Sequence, residues 1–272
     1  MNIPKLKLND GHEIPQVGLG LWKVKDEAEF NTSFDTAVAA GYTHYDSAQV
    51  YGNEQFLGAA WKRHGLKRED IFITTKIRLE TIGIGRTAPS FRKSLENLQT
   101  DYVDLVLLHF PSPIGRKKAW QELEQIQADG GAKSIGVSNY TIRHLEEMRE
   151  YAKVLPAVNQ VELHVFLQQP ELIQYCQKQG IVVEAYSPLA HGKRMDDPTI
   201  IAVAQKHHKT YAQILLRWLL QQNLVILPKS VTPERVQQNI ELFDFELDDE
   251  DMHRLAQLDQ GLRTCWDPTH VP

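Results

Sequence analysis

Short apolar runs alternate along the chain with longer stretches whose apolar residues recur every three or four positions. The apolar runs are "VGLGLW" (17–22), "YTHYDSA" (42–48), "IFITTKI" (71–77), "YVDLVLLHF" (102–110), "KSIGVSN" (133–139), "PAVNQVEL" (156–163), "IVVEAYSP" (181–188) and "LVILPKS" (224–230). Runs of this length, bounded by turn residues, are buried strands. Each is followed by a helical pattern: 27–40, 54–64, 88–98, 117–128, 141–151, 170–178, 211–221 and 233–241, with a shorter helix at 198–207. Ahead of the first strand, "KLKLNDGHEIP" (5–15) alternates on both sides of "NDG", a β-hairpin signal. A last helix is expected at 249–258, with acidic residues in its first turn, where the helix dipole favours them.

Eight strand-then-helix units in about 230 residues predict an α/β fold of one kind, a parallel eight-stranded (β/α) TIM barrel. The hairpin would plug its bottom, and the last helix is an addition. No linker rich in Pro, Gly or Ser interrupts the units, so residues 1–272 are expected to form a single domain. A doubly wound sheet would have fewer strands and a glycine loop directly after its first one. "GIGRTA" (83–88) has the spacing of such a loop, but "RLETI" separates it from the strand, so a dinucleotide fold of that type is not expected.

Composition narrows the function. The net charge is −5 with no basic block, so neither nucleic acid nor a membrane surface is an expected partner. The longest apolar stretches are too short to span a bilayer, and no signal-peptide run opens the chain. Only Cys176 and Cys265 are present, in no metal-binding spacing; reduced thiols, a cytoplasmic location and a site without metal are expected.

The strand ends carry the candidate chemistry. Barrel enzymes build their sites there. Asp46, Lys76, His109, Ser138, Asn139, Gln160, Glu162, Tyr186, Ser187, Lys229 and Ser230 all fall at or near such ends. Asp46 and Lys76 point inward from adjacent strands and can pair. A buried pair adds little stability, so it marks a site. Lys76 would bring positive charge near Tyr51, in the loop after Asp46, lowering the phenol by about 1–3 pKa units toward working pH. His109 would orient a carbonyl oxygen beside Tyr51.

Three longer motifs carry a resemblance. "GYTHYDSAQVYGNEQFLG" (41–58), "KSIGVSNY" (133–140) and "LPKSVTPERVQQNIEL" (227–242) are similar, in order and spacing, to the three signatures of the aldo-keto reductase family. The short loops and "HFPSP" (109–113) most resemble bacterial 2,5-diketogluconate and methylglyoxal reductases. The resemblance implies a catalytic tetrad of Asp46, Tyr51, Lys76 and His109. It also implies NADPH-dependent reduction of an aldehyde or ketone, with Tyr51 giving the proton. Ser138, Asn139 and Gln160 would hold the nicotinamide amide, and Tyr186 would stack on its ring. Ser187, Pro188 and Leu189 match a pyrophosphate-side loop, with Gly20, Leu21 and Trp22 beside the cofactor. Lys229, Ser230, Val231 and Arg235 would hold a 2′-phosphate; Gln238 and Asn239 would lie near the adenine. Thr232 as N-cap and Pro233 at the first helical position account structurally for "KSVTPER" as well.

Some positions depart from the family. Phe110 stands where relatives usually carry Trp, which keeps an apolar wall but removes an indole donor. Arg78 also replaces a frequent Trp, and would either bind a substrate carboxylate or reach solvent. Thr43 replaces a basic residue. Trp22, Tyr51, His109, Phe110, Arg78 and Trp266, on the tail "RTCWDPTHVP", form the expected substrate set, for a small carbonyl or sugar keto-acid. A monomer is expected. Two other functions fit the fold: a cofactor-binding regulatory subunit with little turnover, and a Schiff-base enzyme using Lys76. Asp46 argues against the latter by keeping Lys76 charged.

Overall fold

The computed structural model describes residues 3–83 and 85–272; Met1, Asn2 and Ile84, the last inside "GIGRTA", lie outside the described residues. A two-stranded antiparallel hairpin, β1 (Lys5–Lys7) and β2 (Glu13–Pro15), precedes eight parallel strands. These are β3 (Leu19–Gly20), β4 (His44–Asp46), β5 (Phe72–Ile77), β6 (Val103–Leu108), β7 (Ala132–Ser138), β8 (Val158–Glu162), β9 (Val182–Tyr186) and β10 (Val225–Leu227). They pair in sequence order from β3 to β10. A parallel bridge between Val17 and Ile226 brings the two ends together. Ile226 N–H donates to Gln16 O at 2.9 Å, and Gly18 and Gly20 N–H donate to Ile226 O and Pro228 O at 2.9 and 3.0 Å. The eight strands thus form a closed or nearly closed barrel.

Among the described residues ten helices surround it: α1 (Glu27–Ala40), α2 (Glu54–Arg63), α3 (Thr87–Leu98), α4 (Arg116–Ala128), α5 (Ile142–Arg149), α6 (Pro170–Lys178), α7 (Pro198–His207), α8 (Tyr211–Leu220), α9 (Pro233–Gln238) and α10 (Asp249–Ala256). Local chemistry sets several ends. Asp26 caps α1 by accepting from Glu29 N–H, and Gly41 closes it in the left-handed region. Pro170, Pro198 and Pro233 each open a helix, where a missing N–H costs nothing. Thr232 takes the N-cap position of α9 without a side-chain capping bond, contrary to the expected cap; the Thr232 N–H donates instead to Ser230 Oγ at 3.0 Å. No helix among the described residues is long and apolar enough to cross a membrane.

Strand parity divides the barrel into layers. Leu8 and Ile14 of the hairpin pack on Phe72, Leu105, Val158 and Val225, the inward residues at the N-terminal end, so the hairpin plugs the bottom. One step up, the inward residues His44, Thr74, Gln160 and Glu184 are polar, and the expected site lies above them. Gly83 and Gly85 of "GIGRTA" follow the Leu79–Thr81 turn rather than the end of β5, and its Thr87 already opens α3. Its Gly83 lets the chain pass Gly115, since a Cβ there would lie 2.7 Å from the Gly115 Cα.

Candidate active site

The site begins in the loop after β4. Ser47 Oγ donates to Asn53 Oδ1 at 2.8 Å. Asn53 Nδ2 donates to Leu21 O and Val24 O at 2.9 and 3.0 Å, which ties this loop to the one after β3. Gln49 Oε1 accepts from Arg78 N–H, and its Nε2 donates to Ser90 O and Ser94 Oγ. Between these anchors Gln49–Tyr51 forms a 3₁₀ turn that folds back toward the barrel axis. Gly52 closes it at φ 69°, a left-handed conformation suited to glycine.

That turn brings Tyr51 over Lys76. Lys76 Nζ, with no solvent exposure, donates to Asp46 Oδ1 at 2.5 Å, Ser47 O at 2.9 Å and Tyr51 Oη at 3.3 Å. All three ammonium protons have partners, which offsets the cost of burial. The His109 ring sits edge-on to Tyr51, centroids 5.8 Å apart, and its buried Nδ1 has no partner. The four residues expected to act together therefore meet at one point.

Electrostatics correct one expectation. Burial alone would lower Lys76, but the Asp46 charge, then Tyr51, hold it above its ordinary value as an ammonium. Burial pushes Asp46 up, against the pull of Lys76. Tyr51 is not brought down toward working pH. Burial raises it, and the Lys76 charge only partly compensates. Burial, then Lys76, push His109 well below the ordinary imidazole range, so it is neutral. The resting state therefore holds a neutral phenol, a neutral imidazole and one buried ion pair.

On the opposite wall Asn139, at φ 65°, donates through Nδ2 to His109 O at 3.0 Å and Ser138 Oγ at 3.1 Å, and accepts from Tyr186 Oη at 2.7 Å. Ser138 Oγ donates to Gln160 O at 2.9 Å. Gln160 Nε2 donates to Asp46 Oδ2 at 2.9 Å and Glu184 Oε2 at 2.6 Å, leaving its own carbonyl oxygen outside both bonds. These side chains are thus fixed before any ligand arrives. A Cβ on Gly20 would lie 3.0 Å from Leu227 O, so the backbone there runs close to β10. Leu21 and Pro188 are buried, and Ser187 and Leu189 half-buried. Past β10, Lys229 and Arg235 are exposed and pair with no carboxylate among the described residues. Between them lie Ser230, buried, and Val231, half-buried; Gln238 is exposed and Asn239 buried.

The rim is aromatic. Phe110 stacks on His109 at 4.5 Å, and Trp266 of the C-terminal tail meets Phe110 edge-on at 5.1 Å. Trp22 packs on His191 at 5.4 Å and carries Lys23 over its face. Arg78 turns outward to Glu80, Nε to Oε2 at 2.9 Å.

Three contributors escaped the strand-end search. Glu184 is a charged residue inside an apolar run, and its parity with inward-facing Tyr186 was the available signal. Asn53 and Gln49 lie within the first motif, but their partners are distant in sequence. Glu162 anchors the tail: it accepts from Thr264 N–H at 2.7 Å, Thr264 Oγ at 2.5 Å, Cys265 N–H at 3.2 Å and His164 Nε2 at 3.2 Å. Those bonds hold its carboxyl below the ordinary value although burial pushes it up. Cys176 and Cys265 are both free thiols.

Comparison with known proteins agrees with this geometry. The model of the aldo/keto reductase family matches residues 16–260. The chain belongs to that family. It is 43% identical over 266 residues to the glyoxal reductase of Bacillus subtilis, covering 98% of this chain and 96% of that one. It is 41% identical over 267 residues to the methylglyoxal reductase DkgA of Escherichia coli O157:H7, covering 97% and 96%. A crystal structure of an aldo-keto reductase from a Medee basin deep-sea metagenome library superimposes with a TM-score of 0.95 at 39% identity, covering 98% and 99%. Another, the aldo-keto reductase AKR2E5 complexed with NADPH, gives 0.92 at 36%, covering 97% and 90%. This aldo/keto reductase is thus an oxidoreductase that acts on carbonyl groups, and its barrel is the TIM barrel of its relatives.

Proposed function

We propose that the chain uses NADPH to reduce a small aldehyde or ketone, of the glyoxal or methylglyoxal type, to the alcohol. One observation carries this: Lys76 Nζ touches Asp46 and Tyr51 Oη at once, with the neutral His109 ring beside them. The substrate oxygen would sit between Tyr51 Oη and His109. His109 donates a hydrogen bond to that oxygen and aligns the carbonyl. Tyr51, a neutral phenol, gives it a proton as negative charge develops. Lys76 stabilises the phenolate left behind, and Asp46 keeps Lys76 charged. When bound, NADPH supplies the hydride that reaches the carbonyl carbon.

The residues present fit that cofactor. Two exposed cations without carboxylate partners, Lys229 and Arg235, flank Ser230 at the barrel mouth and suit a 2′-phosphate, so we propose a preference for NADPH over NADH. Asn139 and Gln160 are held rigid, and the carbonyl oxygen of Gln160 stays outside its two hydrogen bonds. They would fix the nicotinamide amide, with the Tyr186 ring beside it.

For the substrate, Arg78 spends its charge on Glu80 at 2.9 Å, which leaves it a poor anchor for a keto acid. Phe110, Trp266 and Trp22 instead offer an apolar rim. The Schiff-base alternative needs a neutral Lys76, and Asp46 keeps it charged. The test is a substrate panel with NADPH. Methylglyoxal should be turned over with consumption of NADPH, and Arg78→Ala should leave the ratio of methylglyoxal to glyoxylate turnover within about twofold, the size of a surface effect. A much larger change would return Arg78 to the substrate site.

A further inference from the structure

Beneath the tetrad lies a carboxyl that the proposed mechanism does not use. Glu184, in the middle of β9, has no solvent exposure. Its Oε2 accepts from Gln160 Nε2 at 2.6 Å, the same amide nitrogen that donates to Asp46 Oδ2 at 2.9 Å. Its Oε1 has no hydrogen-bond partner among the described residues; His44 Nε2 lies 3.7 Å away. That nitrogen lies 3.1 Å from Thr74 Oγ, while His44 Nδ1 lies 3.4 Å from Pro15 O. From β4 Glu184 therefore faces His44 and Asp46, from β5 Thr74 and Lys76, and from β8 Gln160. β10 presents apolar Val225 and Leu227.

Charge counting decides what this cluster tolerates. Among the described residues one cation, Lys76, serves it. Asp46 at 2.5 Å already takes that charge. His44 adds none, because burial pushes it down to about 3. A second carboxylate would share one amide nitrogen with Asp46 and leave an uncompensated negative charge in a buried layer, which is costly. Burial, then the Asp46 charge, raise Glu184 to about 8. Its ionisation lies near the top of the physiological range.

We propose that Glu184 is a positioning residue of the reductase site: as a neutral acid it shares the Gln160 amide with Asp46 and keeps the Asp46–Lys76 pair the only charges beneath Tyr51. Ionised, Glu184 competes with Asp46 for Gln160 and raises the phenol further, because negative charge below Tyr51 opposes the phenolate that proton donation creates. Reduction then slows on the alkaline side. The inference rests on the reductase reading given above.

The test compares wild type with Glu184→Gln, an isosteric residue that stays neutral. Near pH 7 the two should agree in kcat/KM within about twofold, since an amide replaces an uncharged acid. Above pH 8 wild type should fall first, so that near pH 9 the variant exceeds it by up to about tenfold, as a group titrating one unit lower is then mostly ionised. Superimposable profiles from pH 6 to 10 would overturn the proposal. A second measurement needs no turnover: wild-type protein labelled with carbon-13 at the glutamate carboxyl should show one resonance titrating near pH 8, absent in Glu184→Gln. Glutamates all ionised across pH 6 to 9 would also overturn it, and this arm decides the matter if the variant does not fold. No turnover by wild type would refute the reductase reading itself, and the carboxyl titration would still decide the charge state of Glu184.

Discussion

At the scale of single residues, few groups carry charge at the bottom of the site, and Asp46 and Lys76 pair there. Lys76 satisfies three acceptors from a fully buried position, so replacing it leaves Asp46 as an unpaired carboxylate. Lys76→Met should cost about 3–5 kcal/mol of stability, the usual loss when one half of a buried pair is removed. It should also cut turnover at least about a hundredfold. Denaturant titration and steady-state kinetics check both; a stable, active Lys76→Met contradicts the role given to the pair. Lys229→Ala should weaken NADPH binding about tenfold or more, the value of a charge-assisted contact, and leave NADH nearly unchanged. Equal effects on both cofactors would remove the 2′-phosphate assignment. The meeting of Asp46, Tyr51, Lys76 and His109 was legible in the sequence because barrel geometry sends strand-end residues to one mouth. The acidity of Tyr51 was not. Burial, the larger influence and opposite in sign to the Lys76 charge, depends on how the 3₁₀ turn folds the ring inward.

At the scale of elements, the strands and helices followed their patterns closely, and connections were the harder part. Helices at 27–40, 170–178 and 198–207 have the expected ends, because Asp26, Pro170 and Asp197–Pro198 fix their first turns chemically. The 3₁₀ turns at Gln49–Tyr51, Leu79–Thr81 and Ala190–Gly192 carry no such local mark; Arg78, Ser90 and Ser94 hold Gln49, Ser90 holds Thr81, and Cys265 meets His191. The C-terminal tail is the clearest case. Trp266 was expected at the pocket, but Glu162 fixes its position from about a hundred residues away through Thr264 and Cys265, a pairing no local pattern reveals. Glu162→Gln should loosen this segment. We expect KM for the carbonyl substrate to rise several-fold while kcat changes little, because the tetrad keeps its own anchors. A fall in kcat with unchanged KM would place Glu162 in the chemistry instead.

For the whole molecule, closing the barrel fixes which polar groups are buried, and so how stability responds to pH. Burial holds His44 and His109 neutral in the fold, and the half-buried His144 and His191 are also lowered. Below pH ~6.5 the unfolded chain takes up protons at these positions before the native state does, so stability falls with falling pH. Glu184, raised by burial, acts in the opposite sense, because the native state keeps its proton at pH values where the unfolded chain has released it. Four histidines against one acid give a net loss from pH 7 to 5, visible as a lower denaturation midpoint in urea; a rise would contradict the buried neutral state of the histidines. The eightfold alternation made the barrel legible from sequence. The buried layer between plug and site was not, since His44 and Glu184 reveal their meeting only when β4 and β9 lie across one barrel.

Whether Tyr51 gives the proton is decided by one variant. Tyr51→Phe keeps the ring and removes only the hydroxyl. With methylglyoxal and NADPH its kcat should fall by about 10²–10⁴, the range for a lost general acid. Its NADPH affinity, followed by quenching of intrinsic fluorescence, should stay within about threefold of wild type, because Tyr51 is placed at the proton-transfer end of the site. A Tyr51→Phe protein that turns over methylglyoxal at close to the wild-type rate would show that another group gives the proton.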